Sequence, residues 1–273
     1  MRLLKYDFKA LNRYLILIHA FLLVAAAAVR IFLTEPIRIS DSQSVVVSTL
    51  GIILFVLVAV GVSFATSILT AIRFYKNLFS DEGYLTHTLP VTRGQHLLSK
   101  TIAGSVWLMI DQILLFVCIF LVIFSNPVQD LWHANKAEIL TDLGFTGAYA
   151  NLGLWQIALY LFVFLLISAL SSVIMIEASI VIGQLFSNHR ILGAVITYIG
   201  LTTLMSIISF AVLLAFGLVN MTVATDTSMS VEYFSGVSYM VKTFNLSMIL
   251  AVVSGVILYV IADQLMKTRL NLN

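Results

Sequence analysis

Apolar and polar positions along this chain fall into long blocks. Six apolar stretches, Tyr14–Leu33, Val45–Ile72, Thr101–Phe124, Trp155–Leu185, Ile191–Val219 and Leu246–Leu265, are separated by polar segments. Each reaches the ~20 residues a helix needs to cross a bilayer core. The pattern predicts six membrane-spanning helices, the longer ones tilted or protruding. Ahead of the first, residues 2–13 (RLLKYDFKALNR) put Leu4, Phe8 and Leu11 on one helical face and Arg2, Lys5, Lys9 and Arg13 on the rest. That spacing predicts an amphipathic helix lying in the interface against anionic headgroups.

The longest polar interruption carrying both charges is Arg73–Lys100. Ser80 before Asp81 and Glu82 reads as a helix N-cap followed by acids at the positive end of the dipole. The short helix so started stops near His87, because Pro90 disfavours helix at Leu89. Thr92 and Gln95 form a capping box that opens the next helix. The predicted object is a compact helix of Ser80, Asp81, Glu82, Gly83, Tyr84, Leu85, Thr86 and His87 across the mouth of the second and third spans.

Composition makes the membrane reading firm. Hydrophobic residues are 60% of the chain, charged residues 10%, and the mean hydropathy is +1.05. A soluble domain is about half apolar and a quarter charged. The expectation is an all-α membrane protein, one transmembrane domain over residues 1–273. Six spans place both termini on one side, and eleven of the 15 Lys and Arg fall there: Arg2, Lys5, Lys9, Arg13, Arg73, Lys76, Arg93, Lys100, Arg190, Lys267 and Arg269. The positive-inside rule makes that side, with both termini and the Arg73–Lys100 loop, cytoplasmic. The first stretch is long for a signal-peptide core, and the amphipathic segment before it is atypical of one. The outer connections are short, though Ser125–Leu154 has room for a surface helix. No basic stripe with interleaved aromatics suggests nucleic acid.

Candidate chemistry is sparse. Asp111 and Glu177 lie inside spans, where an ionisable group is costly and serves as relay, substrate contact or interhelical lock. A lock is the favoured reading, with Gln112, Ser171 or Ser172 as satisfying neighbours. His19 reads as a packing residue. No His, Cys and acid stand at metal-site spacing, and no catalytic motif or G-x-x-x-x-G-K-[ST] phosphate loop occurs. Gly193, Gly200 and Gly217 of the fifth stretch suit close helix contact. Cys118, the one cysteine, lies in an apolar run.

The run FSDEGYLTHTLPV at Phe79–Val91, followed by Ser99 and Lys100 opening a hydrophobic helix, resembles the cytoplasmic loop of bacterial ABC-2-type permeases, the membrane subunits of ATP-binding-cassette exporters. The likeness is closest to small permeases of Gram-positive bacteria and by layout covers nearly the whole chain. It implies that Ser80–His87 is the coupling helix that docks on a cytosolic ATPase subunit, and that residues 2–13 are the elbow helix common there. It further implies a bacterial cell-membrane location and pairing with a second permease chain. ATP and Mg would be handled by the partner ATPase, with no cofactor in this chain. The substrate class is hydrophobic or amphipathic peptides, drugs or lipids, antimicrobial-peptide resistance being the family-level expectation. The alternatives are a proton-coupled secondary transporter using Asp111 or Glu177, or a non-transporting scaffold or sensor. All three prolines, Pro36, Pro90 and Pro127, lie outside the spans, against the broken helices of many secondary transporters.

Overall fold

Inside a bilayer core no water is at hand for backbone amides, so long apolar runs pair their own N–H and C=O groups as helix. The computed structural model does this in α1 (Arg2–Thr34), α2 (Ser42–Phe79), α3 (Arg93–Ile123), α4 (Leu154–Gly183), α5 (Arg190–Ala215) and α6 (Gly236–Thr268). It describes residues 2–34, 42–80, 82–83, 88, 90–123, 135–142, 144–145, 149, 154–186, 188–218 and 236–268. All six long helices are long and apolar enough to cross a membrane, which makes this a multi-pass membrane protein. A seventh, short helix occupies residues 135–142, within the connection expected to hold a surface helix. Among the described residues there is no strand.

The segment expected to lie in the interface is helical but is no separate element. α1 runs unbroken from Arg2 through the first span. Leu4, Phe8, Leu11 and Leu15 pack with Leu69 of α2 and with Ala103, Trp107 and Ile110 of α3. Their apolar stripe therefore finds a protein surface, and the helix has no reason to bend into the membrane plane. α6 likewise starts ten residues before the expected Leu246. Polar residues such as Lys242 and Asn245 do not end a helix whose backbone is satisfied, and Tyr160 Oη donates to Asn245 Oδ1 at 3.0 Å.

Side-chain contacts fix the registers. α1 and α3 are parallel, since Asp7 meets Ser99 and Lys100, and twelve residues further on His19 meets Asp111. Twelve residues are about 18 Å of helix, so the two helices are pinned at two depths. α3 and α4 are antiparallel, with Thr101 against Glu177 and Leu108 clustered with Ala169. Arg93 Nη1 donates to Met266 O at 2.9 Å, bringing the end of α6 beside the start of α3. The early turns of α1, the start of α3 and the end of α6 therefore share one end of the bundle. Phe74 and Leu78 of α2, Leu97 of α3, Ile174 of α4 and Leu258, Ala262 and Met266 of α6 form its apolar core.

α5 folds back on α4 through a close approach. A Cβ on Gly183 would stand 2.4 Å from Ala194 N and 2.5 Å from its Cα, where no side chain fits. Of the three glycines expected to allow contact, only Gly193 does so, against Phe186 and Gly183 O. Gly200 has nothing within 4 Å, and Gly217, at φ +66°, turns the chain after α5 instead. Gly183→Ala should therefore destabilise the purified protein by about 1–3 kcal/mol, the usual scale for overpacking. Gly200→Ala should be neutral or slightly stabilising through helix propensity. Thermal melts of the two variants in detergent check the contrast.

Candidate functional site

α2 carries a polar stripe at helical spacing: Ser63, Thr66, Thr70, Arg73 and Asn77, three and four residues apart. Such residues share one face, and here that face looks into the bundle. The seam it makes has an inner and an end cluster.

The inner cluster is built on Asp111, which is 4% exposed. Its Oδ1 is 2.9 Å from His19 Nε2 and 3.3 Å from Thr66 Oγ1, and its Oδ2 accepts from Ser63 Oγ at 2.7 Å. His19 Nδ1 is 2.7 Å from Leu15 O. A carbonyl can only accept, so Nδ1 bears a hydrogen. The second proton then sits either on Nε2 facing a carboxylate or on Asp111 facing a neutral ring. Both arrangements leave the pair without net charge, which is what burial in hydrocarbon favours. The His19 ring lies 6.0 Å from that of Trp107.

The end cluster joins four helices. Asp7 accepts from Ser99 Oγ at 2.6 Å and from Lys100 Nζ at 2.8 Å, all three residues being buried. Asn77, with its amide turned to satisfy both neighbours, accepts from Lys100 at 3.3 Å and donates to Glu82 at 2.9 Å. Thr101 Oγ1 lies 2.5 Å from Glu177 Oε2, so α4 is tied to α3. A cavity of about 20 Å³ remains between Asp7, Arg73, Lys100 and Glu177.

The α2–α3 connection is anchored at both rims of this cluster. The capping box forms as expected: Thr92 N–H donates to Gln95 Oε1 at 3.0 Å, and Gln95 N–H to Thr92 Oγ1 at 3.3 Å. Ser80 behaves differently from its expected capping of a following helix. Its hydroxyl donates back to Lys76 O at 2.6 Å, satisfying a terminal carbonyl of α2. Gly83 N–H donates to Ser80 O at 2.7 Å, and a Cβ on Gly83 would meet Leu78 O at 2.7 Å. Asp81, Tyr84, Leu85, Thr86 and His87 lie outside the described residues.

Comparison with protein-family models, with curated proteins and with solved structures finds no match for this chain.

The structure thus distributes the expected site residues over different places. Asp111 and Glu177 belong to one seam but to separate clusters, and neither uses the neighbours expected for it. Gln112 Oε1 is buried with no partner among the described residues, while Ser171 and Ser172 line a separate cavity of about 260 Å³ with residues of α5 and α6. The residues sequence reasoning missed are His19 as the partner of Asp111, and Asp7 and Lys100 as a buried pair. Among the described residues no three His, Cys, Asp or Glu side chains are grouped to hold a metal.

Proposed function

We propose that this chain is the membrane permease subunit of an ATP-binding-cassette exporter in a bacterial cell membrane, with both termini cytoplasmic. The observation that carries the reading is the anchoring of the α2–α3 connection in the end cluster. Glu82, just past the end of α2, is held by Asn77, and the Thr92 capping box opens α3. From those rims, Lys100 reaches α1 through Asp7, Thr101 reaches α4 through Glu177, and Arg93 reaches α6 through the Met266 carbonyl. A push on the connection is therefore passed to α1, α4 and α6 as well as to α2 and α3.

In this reading Ser80–His87 receives that push from a cytosolic ATPase subunit, which binds ATP with Mg and supplies the energy of ATP hydrolysis. Two permease chains, identical or related, enclose the pathway. The cargo is a hydrophobic or amphipathic peptide, drug or lipid. Asp111 acts as an interhelical lock, and the pairing with His19 supports that role over a relay because both carboxylate oxygens are engaged within the bundle.

Affinity purification of the full chain from its membrane in mild detergent tests the proposal. The expected co-purifying proteins are a nucleotide-binding ATPase subunit and a second permease chain. Recovery of the chain alone, from cells in which it is active, would contradict it.

A further inference from the structure

Asp111 and Glu177 are buried acids on the same seam, yet their surroundings differ in kind. Asp111 has both oxygens engaged. Glu177, 2% exposed, engages Oε2 with Thr101, while its Oε1 has no partner among the described residues. Arg73 Nε is likewise buried with no partner among the described residues, and both side chains line the cavity of about 20 Å³. A space of that size takes one water, which needs two to four polar partners. Donor and acceptor match: Arg73 Nε–H can only donate, Glu177 Oε1 can accept, and a water between them does the converse for each.

We propose that this cavity holds a single water bridging Arg73 and Glu177, and that through it Glu177 is a proton-binding site exchanging with the end of the bundle that carries both termini. With Glu177 ionised, the water accepts from Arg73 Nε–H and donates to Oε1. With the proton on Oε1, the water turns and accepts from both. No heavy atom has to move, because Oε2 keeps its contact with the Thr101 hydroxyl in both states. On release the proton passes from Oε1 to the water, which gives a proton on to solvent and is restored. Uptake is the reverse.

The charges facing Glu177 set the consequence. α1 supplies Asp7, α2 Arg73 and α3 Lys100, while α6 brings Tyr259 and, next to it, Asp263. With Glu177 ionised, the charges of Asp7, Lys100, Arg73 and Glu177 cancel. A proton on Glu177 leaves these four groups with one net positive charge and weakens the water-bridged tie between α2 and α4. The site is thus a proton-dependent clasp at the base of the α2–α3 connection. It stands on its own geometry and does not depend on the exporter reading.

Infrared difference spectroscopy of the full chain in phospholipid nanodiscs tests it, with the amide band as a check on folding. A pH step should give a carboxylic-acid C=O band that is lost in Glu177→Gln and that shifts on transfer to D₂O. Ala103→Leu, which fills the cavity, should fold as wild type does but give no such band on the pH step, because the carboxyl no longer exchanges its proton. Should that variant misfold, Arg73→Met keeps the cavity and removes the donor, and it should move the titration midpoint. Identical spectra for wild type and Glu177→Gln would overturn the proposal. So would a cavity-filled variant that titrates and exchanges as wild type does, or an Arg73→Met midpoint that does not move.

Discussion

Asp111→Leu, made alone, should lower the stability of the bundle by roughly 2–5 kcal/mol. Three hydrogen bonds converge on that carboxyl from α1 and α2, and interhelical bonds of this kind are worth about 0.6–1.7 kcal/mol each. The substitution also strands His19 Nε2 and Ser63 in an apolar surround, where unpaired polar groups are costly, whereas Thr66 keeps its bond to Val62 O at 3.0 Å. Removing His19 at the same time should recover part of the loss, because stranding one member of a buried pair is worse than replacing both. Asp111→Asn keeps the shape and part of the bonding and should be far milder. Denaturant titration of the purified variants gives the double-mutant cycle, and additive losses would show that the pair is uncoupled. If the chain is the exporter subunit proposed, transport by Asp111→Asn separates lock from relay: a lock leaves it near wild type, whereas a relay is abolished with assembly intact.

The spans were legible because an apolar run of bilayer length has little choice but helix. Ends were less so, since charge marks a helix boundary only when the side chain must reach water. Asp7 and Lys100 neutralise each other inside the bundle, and so α1 and α3 extend past where charge alone would stop them. The Thr92–Gln95 box was readable because its partners are three residues apart. His19 was not, because its partner is on another helix. A signal did exist: with α1 and α3 parallel from a common end, aligning Asp7 with Ser99 places His19 opposite Asp111. The stripe Ser63, Thr66, Thr70, Arg73, Asn77 was equally visible as a three-four repeat, hidden by the apolar residues around it. The Gly183 approach to Ala194 depends on how two helices cross, and no local pattern records that.

The coupling role proposed for residues 80–87 is tested most directly by ATPase retention on the purified chain and its stimulation, compared across three variants. Ser80→Ala removes a hydroxyl that closes the last turn of α2, typically worth ~1 kcal/mol or less, and should weaken retention only partly. Gly83→Ala places a methyl where Leu78 O already stands, so the turn must leave the end of α2. Leu85→Asp puts a charge in the apolar contact expected of the docking helix. Both should insert in the membrane as wild type does, yet lose the ATPase subunit or its stimulation. If Leu85→Asp and Gly83→Ala retain the subunit and transport at wild-type level, the segment is a plain connector and the exporter reading is wrong.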